Sequence, residues 1–345
     1  CPLTEARSPT STPGQRIAVV GSGIAGLASA YLLARRHHVT LFEADKRLGG
    51  HTHTVDITLG GVTAPVDTGF LVFNDRTYPN LIALFDELGV ASHASDMSFG
   101  VSVDAGRLEW AGSNLGTVFA QPRNLVSPGF LGMLADILRF NREAPANLRR
   151  AEADGATLGQ LLAEGGYRPQ FRDAYLLPMA AAIWSSPAGD ILQFPAASFL
   201  RFCLNHGLLQ INDRPQWRSP LGGGRSYVQR IAATLPDVRL NAPVHAVHRH
   251  PPRVLVHSPA GPAQFDAAAP APPAPETLAL LQDPDDAEAA LLRAGRYQPN
   301  VAVLHTDARF LPQRRKVWSA WNYLGHSLDD GQRPVCVSYL LNQLQ

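Results

Sequence analysis

Three glycines and one acidic residue near the start of the chain have the spacing of a diphosphate-binding turn. Gly21, Gly23 and Gly26 form a GxGxxG pattern, and Glu43 follows Gly23 by about 20 residues. In this pattern the first glycine allows a tight turn, the second lets the backbone approach a pyrophosphate, and the third allows a helix to pack closely on a strand. The acid suits a hydrogen bond from a ribose hydroxyl. Together these residues predict dinucleotide binding.

The elements around these residues are those that would position them. Ile17–Val20 is a short apolar run rich in β-branched residues, which predicts a strand. An apolar helix should run from the glycines to Ala34, and a second strand, Val39–Phe42, should end at Glu43. The start of such a helix presents unbonded N–H groups and the positive end of the helix dipole to a diphosphate. Strand, turn, helix, strand and acid predict a Rossmann-like α/β domain.

A pair of glycines further along the chain indicates which dinucleotide the turn binds. After Glu43 the sequence continues through Arg47 to Gly49, Gly50 and His51. This resembles the acid and Gly-Gly pattern of FAD-binding flavoproteins of the glutathione-reductase type, above all the flavin amine oxidase and phytoene desaturase superfamily. In those proteins the paired glycines let the chain pass close to the pyrophosphate and the flavin. The residue after the pair is usually Arg or Lys there, so His51 is a departure.

Further motifs resemble a bacterial subfamily of FAD-dependent oxidoreductases, some members of which are associated with cyclopropane fatty-acid synthesis. The motifs are Gly49-Gly50-His51-Thr52-His53, Val66-Asp67-Thr68-Gly69-Phe70, Phe73-Asn74-Asp75-Arg76-Thr77-Tyr78-Pro79, Ala182-Ile183-Trp184-Ser185-Ser186, Leu304-His305-Thr306-Asp307 and Ser319-Ala320-Trp321-Asn322-Tyr323. The resemblance implies FAD as the cofactor. It implies these cofactor-binding residues: Gly21, Gly23, Ile24, Ala25, Gly26, Glu43, Ala44, Gly49, Gly50, His51, Thr52 and Val244.

The same resemblance implies a discontinuous organisation: a glutathione-reductase-type FAD-binding domain with an inserted α+β substrate domain. The expected segments are 15–74 and 215–285 for the FAD-binding domain, and 75–214 and 286–345 for the substrate domain. Hairpins are predicted at 54–66, 98–110 and 241–257, and a helix is predicted to begin at Pro79 and end before Gly89. A helix through Phe130 and Arg139 carries an apolar stripe for the core, a partner or a lipid surface, and core packing is favoured.

Two features depart from the superfamily pattern. Relatives have an apolar strand where this chain has Ala267–Pro275, and four of those nine residues are proline. Because proline removes ladder donors and fixes φ, we expect no central strand there. The superfamily also has a last Gly-rich segment that contacts the flavin, and nothing before Gln345 matches it. We therefore expect either a C-terminally truncated chain or an incomplete flavin site.

The implied reaction is transfer of a hydride from a substrate C–H bond to the flavin, followed by reoxidation by oxygen or another acceptor. No catalytic residue is assigned. Candidates are His51, His305, Trp321 and Tyr323, with Trp184 and Asn322 as further pocket residues. A structural role is as much expected as a catalytic one for His51, and it is favoured for His305. Packing is favoured over lining a substrate pocket for the aromatic residues. Arg76 is expected to pair with Asp67 rather than with a phosphate. Amine oxidases of this fold often carry a lysine in the strand matching Asn300–His305, and this chain has none there.

The composition of the chain limits the number of domains and the kinds of partner that it can have. The chain has 345 residues, a net charge of +1, 45% hydrophobic and 17% charged residues, which indicates about two globular domains and no nucleic-acid partner. Cys1, Cys203 and Cys336 predict neither a disulfide framework nor a zinc site, and no metal is expected. No run of 18 apolar residues occurs, so no transmembrane segment is expected. We expect a cytoplasmic protein, with peripheral membrane contact left open.

Four functions remain at this point. The first is an FAD-dependent oxidoreductase acting on a largely apolar substrate, with a lipid acyl chain as one class. The second is a flavin amine oxidase acting on an amine. The third is a truncated or degenerate flavin-binding protein without turnover. A nicotinamide dehydrogenase is the most distant, and Glu43 disfavours the 2′-phosphate of NADP.

Overall fold

The computed structural model describes residues 14–184, 186–295, 297, 299–325 and 336–345. The polar lead that begins at Cys1, and Ser185 of the fourth motif, lie outside the described residues. The chain divides into two compact units, each built from separate segments. Unit 1 comprises Cys1–Phe70, Leu84–Ala91 and Pro220–Pro299. Unit 2 comprises Leu71–Ala83, Ser92–Ser219 and Asn300–Gln345.

The chain consists of runs of strands separated by one or two helices and by one long run of helices, residues 115–205. The strands are β1 (Arg16–Val20), β2 (His38–Phe42), β3 (Thr54–Leu59), β4 (Val62–Asp67), β5 (Phe73–Asn74), β6 (Ser92–Ala94), β7 (Phe99–Val103), β8 (Leu108–Ala111), β9 (Trp217–Pro220), β10 (Asp237–Arg239), β11 (Ala246–His250), β12 (Arg253–Ser258), β13 (Gly261–Phe265), β14 (Ala267–Pro270), β15 (Trp321–Gly325) and β16 (Cys336–Tyr339). The α-helices are α1 (Ile24–Ala34), α2 (Pro79–Leu88), α3 (Leu115–Val118), α4 (Pro128–Asp154), α5 (Leu158–Glu164), α6 (Pro169–Phe171), α7 (Leu177–Trp184), α8 (Ala188–Leu192), α9 (Ala196–Asn205), α10 (Arg225–Ala232), α11 (Ala274–Leu280), α12 (Asp286–Ala294) and α13 (Leu341–Leu344).

Unit 1 is organised around a four-stranded parallel sheet with the order β10-β2-β1-β14. Helix α1 connects β1 to β2, as the sequence predicts. Ala18, Val19 and Leu41 are fully buried, as expected for apolar strands covered on both faces. The predicted α/β class is confirmed.

The Ala/Pro-rich segment forms no central strand, as expected, but its first residues form an edge strand, β14. Strand β14 pairs in parallel with β1, with Ala267 opposite Ile17 and Pro270 opposite Val20. It lies at the edge of the sheet, and Pro270 is its last residue, so the missing proline N–H interrupts no interior ladder. The pairing even extends one residue further, because the Ala271 N–H donates to the Val20 carbonyl at 2.8 Å. The remaining prolines follow the strand and lead into α11.

The hairpins predicted in unit 1 are confirmed. Strands β3 and β4 pair antiparallel across Gly60 and Gly61, whose φ angles are +56° and +81°. Such left-handed conformations at both central positions are those of a tight hairpin turn. Strands β11, β12 and β13 form an antiparallel meander. Its inner face contributes Val256 and Phe265 to a small core with Ala18 and Phe42.

Unit 2 has a largely helical core around α4 to α9. Phe130 of the predicted stripe on α4 is buried in that core and Leu134 and Ile137 pack against it, so the favoured core role is confirmed for these residues. Leu131 and Leu138 of the same stripe are exposed. A second sheet has the order β16-β15-β7-β8, and the predicted hairpin β7–β8 turns at Asp104–Gly106. Helix α2 begins at Pro79 as predicted. Among the described residues, no helix combines the length and apolarity needed to cross a bilayer.

Candidate cofactor site

The glycine turn of unit 1 has the geometry expected for close approach of a ligand. Gly21 has a φ of +93°, and its N–H donates to the Phe42 carbonyl at 2.8 Å, which joins the turn to the end of β2. Helix α1 then begins, and its first intrahelical bond runs from Leu27 N–H to the Gly23 carbonyl at 2.9 Å. The N–H groups of Ile24, Ala25 and Gly26 therefore belong to the open end of the helix. Ile24 and Ala25 are exposed there.

Gly23 and Gly26 have different surroundings. A Cβ on Gly23 would meet no atom within 4 Å, so the position borders open space. A Cβ on Gly26 would lie 1.8 Å from the Gly21 carbonyl oxygen, which no side chain tolerates. Gly26 thus allows the turn to pack on the helix. Gly23 leaves room outside the protein backbone, which is where a pyrophosphate fits.

Glu43 and Ser22 join the strand end to the turn. Glu43 Oε2 accepts the Ser22 N–H at 2.9 Å and also the Ser22 hydroxyl, and its Oε1 accepts the Asp45 N–H at 2.8 Å. Ser22 is fully buried. Its Oγ in turn accepts the Gly49 N–H at 3.1 Å. One serine therefore connects the acid to both glycine segments, a role that the sequence pattern, which leaves this position unspecified, did not identify.

The second glycine pair lies directly against the first turn. A Cβ on Gly50 would approach Gly23 Cα to 2.9 Å, and the φ angles of Gly49 and Gly50 are +115° and +57°. The Arg47 guanidinium holds this loop by donating to the carbonyls of Gly50 at 2.8 Å and Thr52 at 3.1 Å. The left-handed φ angles and the close approach to Gly23 favour glycine at these positions, and they bring the two predicted glycine motifs into one cradle. Ala44 is exposed beside it.

His51 and Thr52 follow the pair in contrasting environments. The His51 side chain is exposed, while its carbonyl accepts the Phe70 N–H at 3.2 Å and a Cβ on Gly69 would collide with it. Thr52 is buried, and its hydroxyl is hydrogen-bonded to that of Tyr227. Burial raises the pKa of Tyr227 above its ordinary value, so this hydroxyl stays protonated at neutral pH. The backbone of this segment is fixed, and the imidazole is the group that faces outward.

Val244 lies in the segment that leads into β11. It is partly buried against the small core that contains Ala18 and Phe42. The Ala242 N–H donates to the Glu43 carbonyl at 2.8 Å, which ties this segment to the end of β2. The chain therefore brings Val244 and Glu43 into one region of unit 1, although about 200 residues separate them.

Asp67 has a role that differs from the predicted ion pair. Its carboxylate is buried and accepts the Gly224 N–H with both oxygens, at 3.0 and 2.9 Å, as well as the Thr54 hydroxyl. Arg76 pairs instead with Asp213 at 2.8 Å on the surface of unit 2. The predicted Arg76–Asp67 pair is therefore wrong. Asp67 thus anchors the N-terminus of α10. The sequence signals for this role are an acid at the end of an apolar strand and the glycine run Gly222–Gly224 just before the helix.

A cavity of about 340 Å³ lies within unit 1 between the segment after Glu43 and α10. Its lining residues are Arg47, Leu48, Thr52, His53, Thr54, Arg225, Val228, Gln229, Ala232 and Leu240. Both arginines are already engaged, Arg47 with backbone carbonyls and Arg225 with Asp56 at 2.7 Å. The Arg225 hydrogen bond lowers the pKa of Asp56 and so maintains that pair. In residues 14–184 and the other described ranges, no group of three or more His, Cys, Asp or Glu side chains is arranged to hold a metal ion.

The other candidates lie in unit 2. Asn322 is buried in structural hydrogen bonds to Ser319 and Ser338, and Tyr323 packs on the helical core. Trp184 packs on Phe202, with ring centroids 4.8 Å apart. Trp321 stacks edge-on against Tyr339 at 4.7 Å, and its indole N–H is buried with no acceptor among the described residues.

The strand predicted from Asn300 to His305 is wrong. Residues 299–307 have no regular structure, and Val301 is 93% exposed. His305 is exposed as well, and its Nδ1 accepts the Asp307 N–H at 3.0 Å in a local turn. Alternating apolar residues form a strand only where a neighbouring strand can pair with them, and the described part of the chain places no such strand beside residues 299–307.

Comparison with known proteins places this geometry in a family. Residues 24–341 match the family model described as flavin containing amine oxidoreductase, which covers most of the chain. The chain belongs to the flavin-containing amine oxidoreductase family. Membership confirms FAD as the cofactor and an FAD-dependent oxidoreductase as the class, both as predicted.

Relatives in this family differ in what their names say they act on. AofH of Mycobacterium tuberculosis, named as a flavin-containing monoamine oxidase, is 29% identical over 339 residues, covering 94% of this chain and 70% of AofH. A redesigned putrescine oxidase has a TM-score of 0.60 at 21% identity, covering 82% of this chain and 64% of its own. A fatty acid isomerase from P. acnes that produces CLA has a TM-score of 0.57 at 17% identity, covering 81% of this chain and 63% of its own. The chain thus spans less than two thirds of these solved structures, and the two likenesses show the fold alone.

Proposed function

We propose that unit 1 holds the ADP half of FAD through the residues implied by the resemblance. The glycine cradle supports this. Gly23 borders open space at the start of α1, Gly50 lies against it, and Glu43 is held at the end of β2. A diphosphate would meet the N–H groups of the first turn of α1, and a ribose hydroxyl would donate to Glu43. In the same proposal the fold is of the glutathione-reductase type, with a substrate domain over 75–214 and 286–345 inserted into the FAD-binding domain.

The proposed reaction is oxidation of a C–H bond in a largely apolar substrate, of which a lipid acyl chain is one class. When bound, the flavin supplies the hydride acceptor. The protein would bind and orient the substrate and exclude water, and no dedicated base is assigned.

The proposed substrate class is inferred from the buried carboxylates of unit 2, both of which are paired with arginine. Glu109 is bonded to Arg314 at 2.7 Å, and Asp136 is bonded to Arg168 at 2.9 Å. Both are therefore compensated by arginine, and among the described residues of unit 2 these are the buried carboxylates. A cationic amine would need an uncompensated acid or a polar site of comparable strength. An apolar substrate needs neither.

The aromatic interior of unit 2 agrees with this substrate class. Trp184 packs with Phe194, Phe199 and Phe202, at centroid distances of 4.8 to 5.7 Å. These rings pack on one another in the core of unit 2, and a substrate site bordered by them would favour an apolar molecule. The buried Trp321 N–H is one donor that could orient a substrate carboxylate or carbonyl.

The test is anaerobic reduction of the protein-bound flavin, followed by its visible absorbance. We expect long-chain fatty acids or their esters to bleach the flavin, and simple monoamines and diamines to leave it oxidised. The opposite pattern would establish the second candidate, a flavin amine oxidase, which the family and the name of AofH favour. Trp321→Phe should slow bleaching by about tenfold through the lost donor, while Trp318→Phe, whose indole N–H donates to the Pro312 carbonyl, serves as the matched control.

A flavin-binding protein without turnover remains the third candidate. The Ala/Pro-rich segment no longer favours it, because β14 forms there. Rapid bleaching by any substrate class would exclude it. The predicted cytoplasmic location and the catalytic candidates His51, His305 and Tyr323 stay predictions.

A further inference from the structure

The pairing of β11 with β12 in unit 1 brings histidines together. His248 and His250 belong to β11 and His257 belongs to β12. Because His257 lies opposite Ala246, two residues from His248 along β11, and because alternate residues of a strand face one side, these three histidines share one face of the pair. His245 directly precedes β11, and its N–H donates to the His257 carbonyl at 3.0 Å.

The imidazole rings of these four residues lie close to one another. His248 packs edge-on against His257 with ring centroids 5.2 Å apart, and it stacks beside His250 at 5.8 Å. The His245 and His257 rings are 6.1 Å apart. Two imidazoles on one tetrahedral ion, with metal–nitrogen bonds of about 2.1 Å, have ring centres about 5 Å apart. The separation of His248 and His257 is close to this value.

His257 also has a ring nitrogen without a partner. Its Nε2 is buried and makes no hydrogen bond among the described residues. A buried polar atom left unpaired costs free energy, and an ion is one of the groups that can satisfy it. His248 and His257 are partly buried, whereas His245 and His250 are exposed. The rings beside the inner pair therefore border solvent, which gives an ion an entry path.

We propose that His248 and His257 bind a divalent transition-metal ion of the Zn²⁺, Ni²⁺ or Cu²⁺ class, with water completing the coordination. Imidazole suits these ions, whereas Mg²⁺ and Ca²⁺ take oxygen ligands. In the ranges that the structure describes, no three His, Cys, Asp or Glu side chains are arranged around one ion, so the protein supplies a pair of ligands. Spacing along the sequence predicts no such site, because strand pairing brings the two histidines together.

The carboxylates that contact these strands are engaged elsewhere. Asp283 and Glu288 are paired with Arg249 of β11, at 2.9 and 2.7 Å. Asp266 is paired with Arg253 of β12. These pairs favour an ion that imidazole binds without help from a carboxylate. The proposal uses no residue of the glycine cradle and does not depend on the flavin reaction.

Calorimetric titration of the whole chain, purified without a histidine tag, with ZnCl₂ and with NiCl₂ tests the proposal. We expect saturable binding and a thermal midpoint that rises with ion concentration, because an ion that binds the folded state stabilises it. His248→Gln and His257→Gln should each weaken binding at least tenfold, since losing an outer hydrogen-bond partner of a metal ligand already costs about that much. The matched control is His93→Gln, at a partly buried histidine on β6 of unit 2, which should bind as wild type does.

A rescue variant separates metal ligation from folding. His248→Cys keeps a side chain that binds Zn²⁺, so it should bind more tightly than His248→Gln, and the thermal midpoint without metal shows that each variant is folded. Equal loss in these two variants would overturn the proposal, as would unchanged binding in His257→Gln or no saturable binding by wild type at about 1 mM ion. A larger loss in His250→Gln than in His257→Gln would also overturn it and assign the ion to the two histidines of β11.

Discussion

At the scale of single residues, substitution of Gly26 should reduce the stability of the fold, whereas substitution of Gly23 should reduce FAD binding. Gly26→Ala places a methyl group 1.8 Å from the Gly21 carbonyl oxygen, and that neighbour is backbone, which cannot rotate away. We expect the free energy of unfolding to fall by about 3 kcal/mol, the upper end of overpacking costs. Urea unfolding of the protein without added FAD measures this. Gly159→Ala, whose nearest contact would be 3.2 Å, should cost clearly less, and equal losses would contradict the packing role of Gly26.

We expect Ser22 to strengthen ADP binding indirectly, because it holds the Glu43 carboxylate that would bind the ribose. Ser22→Ala removes one hydrogen bond to the carboxylate and one of the two acceptors of the Gly49 N–H, which also donates to the Ser22 carbonyl at 3.0 Å. We expect the Kd for ADP to rise about tenfold, the effect of roughly 1.4 kcal/mol from a charge-assisted hydrogen bond. The rise should be much smaller for an ADP analogue that lacks the ribose hydroxyls, because the effect passes through the Glu43–ribose contact.

The matched control for this residue is Ser226→Ala. The Ser226 hydroxyl is buried and has no hydrogen-bond partner among the described residues, so its removal should leave both Kd values unchanged. An equal effect of Ser22→Ala on ADP and on the hydroxyl-free analogue would show that Ser22 shapes the loop without acting on Glu43.

The residues of the cradle differ in how far sequence could identify them. Spacing identified Gly21, Gly23, Gly26 and Glu43, because a diphosphate-binding turn allows few alternatives at these positions. Spacing could not identify Ser22, because any small residue fits the variable position between two glycines. Its role depends on where the Glu43 side chain and the Gly49 N–H lie in space.

At the scale of elements, Asp136 anchors the middle of α4 and gives unit 2 a defined pH dependence. Burial raises the pKa of this carboxyl, but the Arg168 hydrogen bonds, the Arg168 charge and Arg139 outweigh it, and the net shift is below the ordinary value of 3.8. The group therefore stabilises the fold fully above pH 3.8, and this contribution is lost as the pH falls through the lower folded pKa.

Asp136→Asn should reveal that contribution. At neutral pH we expect a loss of about 1 to 3 kcal/mol, less than for a fully buried pair because both arginines are partly exposed. The difference from wild type should shrink as the pH falls below 3.8 and through the lower folded pKa, because the native carboxyl then also becomes neutral. Urea unfolding across this range measures it. Glu164→Gln, which removes an exposed pair with Arg150 at 3.9 Å, is the control; a difference for Asp136→Asn that stays constant with pH would contradict the ion-pair account.

Elements with local signals were predictable, and those set by distant partners were not. Strand β1, helix α1 and the β3–β4 hairpin follow from apolar pattern and turn glycines. Strand β14 was missed because composition argued against it. The edge of β1, about 250 residues earlier in the sequence, supplies the partner that lets an alanine-rich stretch pair. At 299–307 the opposite holds: the alternation of apolar residues predicts a strand, but none forms, because no neighbouring strand among the described residues pairs with this segment.

At the scale of the whole molecule, the chain brings residues far apart in sequence into one glycine cradle, the proposed site of the ADP half of FAD. The glycine turn, the Gly49–Gly50 pair and the Val244 segment all meet at the end of β2. Family membership and the discontinuous units fit this arrangement. The substrate class rests on unit 2, where motif spacing gives less guidance because packing residues and substrate-lining residues have the same apolar and aromatic character.

The most direct test of the account is FAD binding by Gly23→Val, measured by titration with FAD and by the visible flavin spectrum of the purified protein. A side chain at Gly23 meets open space in the protein and would occupy the volume assigned to the pyrophosphate. We expect at least a hundredfold loss of FAD affinity with an unchanged thermal midpoint for the protein without cofactor. Gly112→Val, at a position equally open in unit 2, should bind FAD as wild type does. Normal FAD occupancy in Gly23→Val would contradict the placement of the cofactor.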